Sequence, residues 1–324
     1  QPLEAIAART GRPFEDVANA VEQARRTLFE ARGRRPRPHL DDKVLSAWNG
    51  LMIAALARAA RVWPAAPRAA GDLEAARLAA RFVLETMWEP HSAGLRRRYR
   101  AGSAGIDGYA EDYAALVWGL LELFQADGDP MWLDWAQRLQ ARQDELFWDA
   151  AEGGWFSTTG ADPSVLLRLK EDYDGAEPAA SSISALNQLQ LFHLTGSPAA
   201  AEKVELTLAR LGPRLGQLAR AVPMMARALA VRHAGLTQIV VVGEPDREDS
   251  RRLRDTLAAL YLPFAVVVPV EPGDRQDRLA AIMPWLASMT LRGGRATAYV
   301  CRDFTCQAPV TDADGLRRQL LATV

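Results

Sequence analysis

Lysine is nearly missing from this chain. Only Lys43, Lys170 and Lys203 occur, against 36 arginines, which are the 39 basic residues less those three. Guanidinium serves almost wherever a cation is needed. A retained lysine is then either chance or a place that wants a compact, deprotonatable amine. Cysteine is equally scarce. Cys301 and Cys306 are the only two, which excludes a disulfide framework and makes a reducing cytoplasm the expected setting. The four histidines (His39, His91, His193, His233) show no HxxxH or HxH spacing, so no zinc site or other metal centre is expected. His39 alone stands beside acidic residues, where local hydrogen bonding is its ordinary use. No apolar run reaches the roughly 18 residues of a membrane helix. The opening "QPLEAIAARTGRPFED" has no basic-then-apolar leader pattern, and its first residue is not Met, so a truncated or split parent protein is expected. One-sided charge is also lacking. A formal net charge of -1 excludes a dedicated nucleic-acid or anionic-membrane binder. The arginine patches "RGRRPRP" (32–38) and "RRRYR" (96–100) then read as solvated loops or anion contacts.

What is present is apolar periodicity. Hydrophobic residues make up 49% of the chain, enough for a sizeable core. A first helix is predicted over Pro13–Ala31. Helical spacing of three and four then recurs in "LMIAALARAARV", "GDLEAARLAARFVLETMW", "EDYAALVWGLLELFQAD" (the cleanest amphipathic pattern), "PMWLDWAQRLQARQDELFWD", "SSISALNQLQLFHLTG", "SPAAAEKVELTLARL" and "VPMMARALAVRHAG". Trp48-Asn49-Gly50 reads as a turn in front of the first of these. Similar helix starts at Trp48, Asp112 and Ser182 recur at roughly 65–70 residues, the mark of stacked αα-hairpins. Seven helices are an odd number. A closed toroid of six hairpins would place about five more upstream of Gln1. After Gly235 the pattern changes to strands at Thr237–Gly243, Phe264–Val270 and Arg295–Cys301, alternating with helices, the last opened by a Thr311/Asp314 capping box. The lone Gly243 at the first strand–helix junction does not make a dinucleotide fingerprint, and no cofactor is expected. The predicted fold is mainly α: a partial (α/α)6 toroid of αα-hairpins with a small C-terminal α/β subdomain. Its parts are residues 1–38 (helix and linker), 39–235 (hairpins) and 236–324 (α/β).

In such a toroid the inner helices run parallel, and their N-termini meet at one end with free N–H groups and partial positive charge. The residues placed there are Asp41, Asp42 and Lys43, then Glu111 and Asp112, then Ser181 and Ser182. Singly, each is an ordinary cap or dipole partner. Together, carboxylates from separate hairpins converge on one mouth, as acid/base work on a sugar requires. Asp41, Asp42, Glu111 and Asp112 are therefore the candidate catalytic residues. Lys43, Trp48, Asn49, Tyr113, Lys170 and Ser182 are the candidate ligand-binding residues. Trp48, Tyr109, Tyr113, Trp155 and Phe156 offer stacking faces, with core packing as the plain alternative. Lys170 and the acidic residues after it lie in a long loop ahead of a helix, a solvated turn or a functional loop. Cys301 and Cys306 read as a redox pair, half a metal site, or two ordinary small buried residues, the last being the commonest case.

The runs "PHLDDKVLSAWNGLMIAALARAARV", "GYAEDYAALVWGLLEL", "ELFWDAAEGGWFST", "KEDYDGAEP" and "ATAYVCRDFTCQAPVTD" resemble, in the same order, the thioredoxin-domain-containing family that includes spermatogenesis-associated protein 20. The resemblance implies an upstream thioredoxin-like domain followed by a six-hairpin-glycosidase-type barrel similar to N-acylglucosamine 2-epimerase. After "DGAEP" the family continues Ser-x-Asn-Ser, whereas this chain has Ala179-Ala180-Ser181-Ser182, so an amide is missing. Three readings of function follow. The barrel mouth binds or converts a sugar-like ligand by carboxylate chemistry. Alternatively, the chain is a non-catalytic client-binding module that works with the thioredoxin-like domain through Cys301 and Cys306. A third reading is a structural remnant whose open toroid self-associates through exposed apolar flanks.

Overall fold

The structure, a computed structural model, describes residues 1–322 apart from 93, 162 and 164. Its contacts divide the chain into two units, residues 1–42 and 43–324.

In the first unit, α1 (Leu3–Thr10) stops at Gly11, whose φ of 65° is a left-handed cap that glycine adopts without steric cost. The short "LEAIAART" carries too little periodicity to announce this helix. Pro13 fixes the start of α2 (Phe14–Gly33), which runs two residues beyond the predicted end. Residues 36–42, with Asp41 and Asp42, follow without regular structure.

The second unit contains all seven helices expected between residues 40 and 235: α3 (Ser46–Val62), α4 (Ala69–Thr86), α5 (Ala110–Asp127), α6 (Pro130–Phe147), α7 (Ala180–Thr195), α8 (Pro198–Leu218) and α9 (Pro223–Ala234). Inner helices α3, α5 and α7 lie side by side, and α4, α6 and α8 each back their own partner. This is the arrangement of a partial (α/α) toroid. The closest approach is between α3 and α5. A Cβ on Gly50 would lie 2.4 Å from the carbonyl carbon of Ala115, and one on Gly119 would lie 2.6 Å from the Gly50 oxygen. Trp48-Asn49-Gly50 is thus no turn: it belongs to the first turns of α3, and Gly50 is there so that two backbones can touch. Helix α5 also differs from its predicted amphipathic character. It is buried on nearly every side, because neighbours cover both flanks.

Where α4 returns to α5, the "RRRYR" patch is a strand and not a loop. β3 (Gly94–Arg100) pairs antiparallel with β1 (Val44–Leu45), β2 (Trp88–Glu89) and β4 (Ser103–Asp107). Period-two alternation sorts its side chains. Leu95, Arg97 and Tyr99 share one face, where Leu95 is buried and Tyr99 meets Phe82 edge-on. Arg96, on the other face, pairs with Glu89 and Asp107.

The three later strands form as predicted, to within two residues at either end. β5 (Thr237–Val242) is central, parallel to β6 (Ala265–Val270) and antiparallel to β7 (Thr297–Arg302), which turns back into β8 (Thr305–Cys306). Alternation divides this sheet between two cores. Val240, Val242, Val266 and Val268 join the core of α3–α7. Ile239, Val241, Val267 and Val300 pack under α10 (Glu248–Ala258) and α12 (Ala313–Leu321) through Leu253 and Leu316. The remaining helix, α11 (Asp274–Ile282), follows β6. The cap of α12 is Asp312, which accepts from the Gly315 N–H at 2.8 Å, not Thr311.

Candidate active-site mouth

The mouth is built at the start of α5. Asp112 is the third helical residue, and its Oδ2 accepts the Tyr109 backbone N–H at 2.9 Å, closing a capping box. Its Oδ1 accepts the Ala47 N–H at 3.1 Å from the first turn of α3. One carboxylate therefore ties two inner helix N-termini together. Arg97 arrives on the inward face of β3, and its Nη1 donates to Asp112 Oδ2 at 2.9 Å and to Glu111 Oε1 at 2.6 Å. The Arg97 guanidinium also lies 4.7 Å from the centre of the Tyr109 ring. Asp112 is 0% exposed. Burial raises its pKa to about 6, against the lowering effects of the Tyr109 N–H and Arg97.

The long loop between α6 and α7 supplies the other side. Asp174 holds that loop, accepting the Ala179 N–H at 2.9 Å and the Met224 N–H at 2.8 Å. Glu177 accepts the indole N–H of Trp48 at 2.7 Å. Burial raises the pKa of Glu171, and the charges of Glu111 and Glu177 raise it further. Three glutamates from two elements therefore share one field, beside Trp48, which is 58% exposed, and Tyr109, which is 39% exposed.

Of the predicted residues, Glu111, Asp112 and Trp48 come together here. Others have structural tasks. Tyr113 offers no stacking face: it is 1% exposed, and its hydroxyl accepts the Leu95 N–H at 2.9 Å. Trp155 is likewise buried and donates its indole N–H to Asp144 at 2.9 Å. Asn49 donates to the Leu45 carbonyl at 2.8 Å. Ser182 is buried in the first turn of α7, its N–H bonded to the Ala179 carbonyl at 3.0 Å. Lys170 is enclosed by Asp149 at 2.6 Å and the Gly153 carbonyl at 2.8 Å, over the Phe156 ring. Lys203 pairs with Asp144 at 3.2 Å, so these two lysines serve as ion-pair partners. Lys43 is exposed where the second unit begins, and Asp41 and Asp42 are exposed at the end of the first. Described by itself, the second unit forms its mouth from Trp48, Arg97, Tyr109, Glu111, Asp112, Glu171 and Glu177. Sequence reasoning missed Arg97 and Glu171. The alternation Leu95-x-Arg97-x-Tyr99 was the available signal for the first.

Cys301 and Cys306 are not separate small residues. They face each other across β7 and β8 and form a disulfide. The cause is the two-residue reversal at Asp303 and Phe304, both with positive φ (48° and 61°), which sets residues 301 and 306 opposite one another. Cys301 is buried and Cys306 exposed.

No family model matches the chain. Spermatogenesis-associated protein 20 of Mus musculus is 38% identical over 329 residues, covering 98% of this chain and 41% of that protein. The Homo sapiens protein of the same name is 37% identical over 327 residues, with the same coverage of 98% and 41%. An uncharacterized Caenorhabditis elegans protein is 31% identical over 303 residues, 91% of this chain and 40% of that one. The chain is homologous to this part of spermatogenesis-associated protein 20, and it spans about two fifths of the length of the curated relatives it matches. Among solved structures, a GH76 alpha-mannanase of Bacteroides thetaiotaomicron has a TM-score of 0.42 at 19% identity, covering 53% of this chain and 46% of that one. Cellobiose 2-epimerase of Bacillus thermoamylovorans has a TM-score of 0.44 at 14% identity, covering 53% and 45%. Among the described residues, no helix is long and apolar enough to cross a membrane.

Proposed function

We propose that the mouth at the start of α5 binds a sugar-like ligand and acts on it by carboxylate acid/base chemistry. The observation that carries this reading is the shared field of Glu111, Glu171 and Glu177 beside two exposed aromatic rings. Trp48 offers a flat face whose orientation is held by its bond to Glu177. Glu171, its pKa raised by burial and by two neighbouring carboxylates, is the proton donor. Glu111, fixed by Arg97, is the base. Asp112 is fully buried, away from the exposed rings. It is a positioning residue that aims Arg97 and, through it, Glu111. The test is a saccharide panel titrated calorimetrically against the chain. Trp48→Ala should abolish binding, and Glu171→Gln should leave binding intact while stopping turnover. Absence of saccharide binding would overturn the reading.

The disulfide favours one further reading. The Cys301–Cys306 disulfide is reduced by the dithiol of a thioredoxin-like domain, whose own pair closes to a disulfide in return; the family resemblance supports such a domain. Trapping with a thiol-reactive reagent after mild reduction tests it. If both sulfurs stay unmodified in the folded chain, the exchange does not occur.

A further inference from the structure

The opposite ends of the inner helices carry different chemistry. Glu122, near the end of α5, is 1% exposed. It is held by Arg61 at 2.9 Å and by Arg58, with both guanidiniums donating to it. Its pKa is lowered: burial pushes it up, but Arg61 and Arg58 together outweigh that push. Around this triad lies a cavity of about 1000 Å³ between the hairpins and the α/β part, walled by α3, α5, α7, α9, α10 and β6. Five arginines line it (Arg58, Arg61, Arg227, Arg251 and Arg254) and only two carboxylates (Glu122 and Asp255), an excess of three positive charges.

Arg58 and Arg61 are committed to Glu122. Arg227 is not committed to any carboxylate: among the described residues it makes no ion pair. It lines the cavity together with Arg58, Glu122 and Tyr261, and its pKa is lowered by burial first and then by the charge of Arg58, against the raising effect of Glu122. A half-buried cation in the field of another cation gains from an incoming anion. Arg254 donates only to the Pro245 carbonyl among the described residues. The rest of the wall is apolar, with Ala60, Val62, Leu73, Leu186, Val231 and Leu262. Such a wall suits an organic body, and the volume far exceeds that of a bare inorganic anion. The charge is carried by planar guanidiniums, whose paired donors can match the two-oxygen edge of a phosphate.

We propose that this cavity binds a phosphate-bearing small molecule of nucleotide or sugar-phosphate size, with its phosphate at Arg227 beside Arg58 and Arg254 and its organic body on the apolar wall. The site is separate from the carbohydrate mouth, and it shares no residue with it.

The test uses the whole chain, with inorganic pyrophosphate, ADP, glucose 6-phosphate and adenosine as probes, read by calorimetry and thermal shift. Saturable binding of ADP or glucose 6-phosphate is expected, weakening as salt rises, with adenosine inert. Arg227→Met keeps the side-chain bulk and removes the charge, and should weaken binding by about 10–100-fold, the worth of one charge-assisted bond to phosphate. Arg252→Met, on an exposed pair with Glu248, should leave binding unchanged. Trp48→Ala should also leave it unchanged, which separates failure here from failure of the mouth. The proposal is overturned if no phosphate probe binds, if adenosine binds as well as ADP, or if Arg227→Met binds like the unaltered chain. Arg227→Gln serves as the second variant should the Met form not fold.

Discussion

Replacing Gly50 by alanine places a methyl carbon inside the backbone of α5. It would stand 2.4 Å from the Ala115 carbonyl carbon, 2.5 Å from its oxygen and 2.5 Å from the Leu116 nitrogen. Carbon contacts are optimal at about 3.5–4.0 Å, so the helices must separate by roughly 1 Å where they cross. No flexible side-chain end is available to swing aside. A gap of that size forfeits about a quarter to a half of each contact energy along the seam, which includes the buried Ile53, Ala54 and Ala57. Overpacking of this kind costs about 1–3 kcal/mol, at the upper end here because backbone is struck. Against it stands a gain of about 1 kcal/mol for removing glycine from a helix interior. The net expectation is a loss of about 2 kcal/mol, read as a lower urea midpoint at unchanged slope. Gly119→Ala should behave alike, since its Cβ would meet the Gly50 oxygen at 2.6 Å. Gly216→Ala in α8 meets nothing within 4 Å and should be neutral or stabilising. A Gly50→Ala chain as stable as its parent would refute the close-approach argument.

The other expectations can be checked with the same apparatus. Asp112, at about pKa 6 when folded and 3.8 as a free carboxyl, contributes stability that is complete below about pH 4 and lost as pH rises through 6, on the order of 3 kcal/mol. Asp112→Asn should remove that part of the pH slope, and an identical slope in both chains would contradict it. Glu122 has a lowered pKa, so its contribution is present at neutral pH and fades as pH falls through the folded value. Glu122→Gln should cost about 3–5 kcal/mol at pH 7, because the amide keeps one acceptor oxygen but leaves the charges of Arg58 and Arg61 uncompensated, and less in acid, as measured by unfolding at both pH values. Cys306→Ser should leave the helical signal unchanged while loosening only the β7–β8 hairpin, visible as faster amide exchange at residues 301–306. Global unfolding would contradict that.

Part of the candidate site was legible in the sequence. Glu111, Asp112 and Trp48 stand at helix starts, and parallel inner helices bring such starts together. What could not be read was how each carboxylate is used. Asp112 satisfies the Tyr109 and Ala47 N–H groups, and Ala47 is 65 residues away in the chain. Tyr113 turns inward because the Leu95 N–H needs an acceptor. Arg97 lay inside a run of arginines whose sides are distinguished only once the run is known to be a strand. Lys170, which looked like a ligand anchor in a loop, is held by the turn it closes.

Local chemistry determined the longer elements, though not α1 or the small sheet around β3. Apolar spacing of three and four set seven helices, β-branched runs set three strands, and Pro and Gly set the ends. Those signals are carried by neighbours a few residues apart, so the chain order suffices to express them. The tertiary structure decided which faces meet. The Gly50–Gly119 crossing, the Arg97 bridge and the arginine-lined cavity all depend on the distance between segments remote in sequence, and only the folded packing sets that distance.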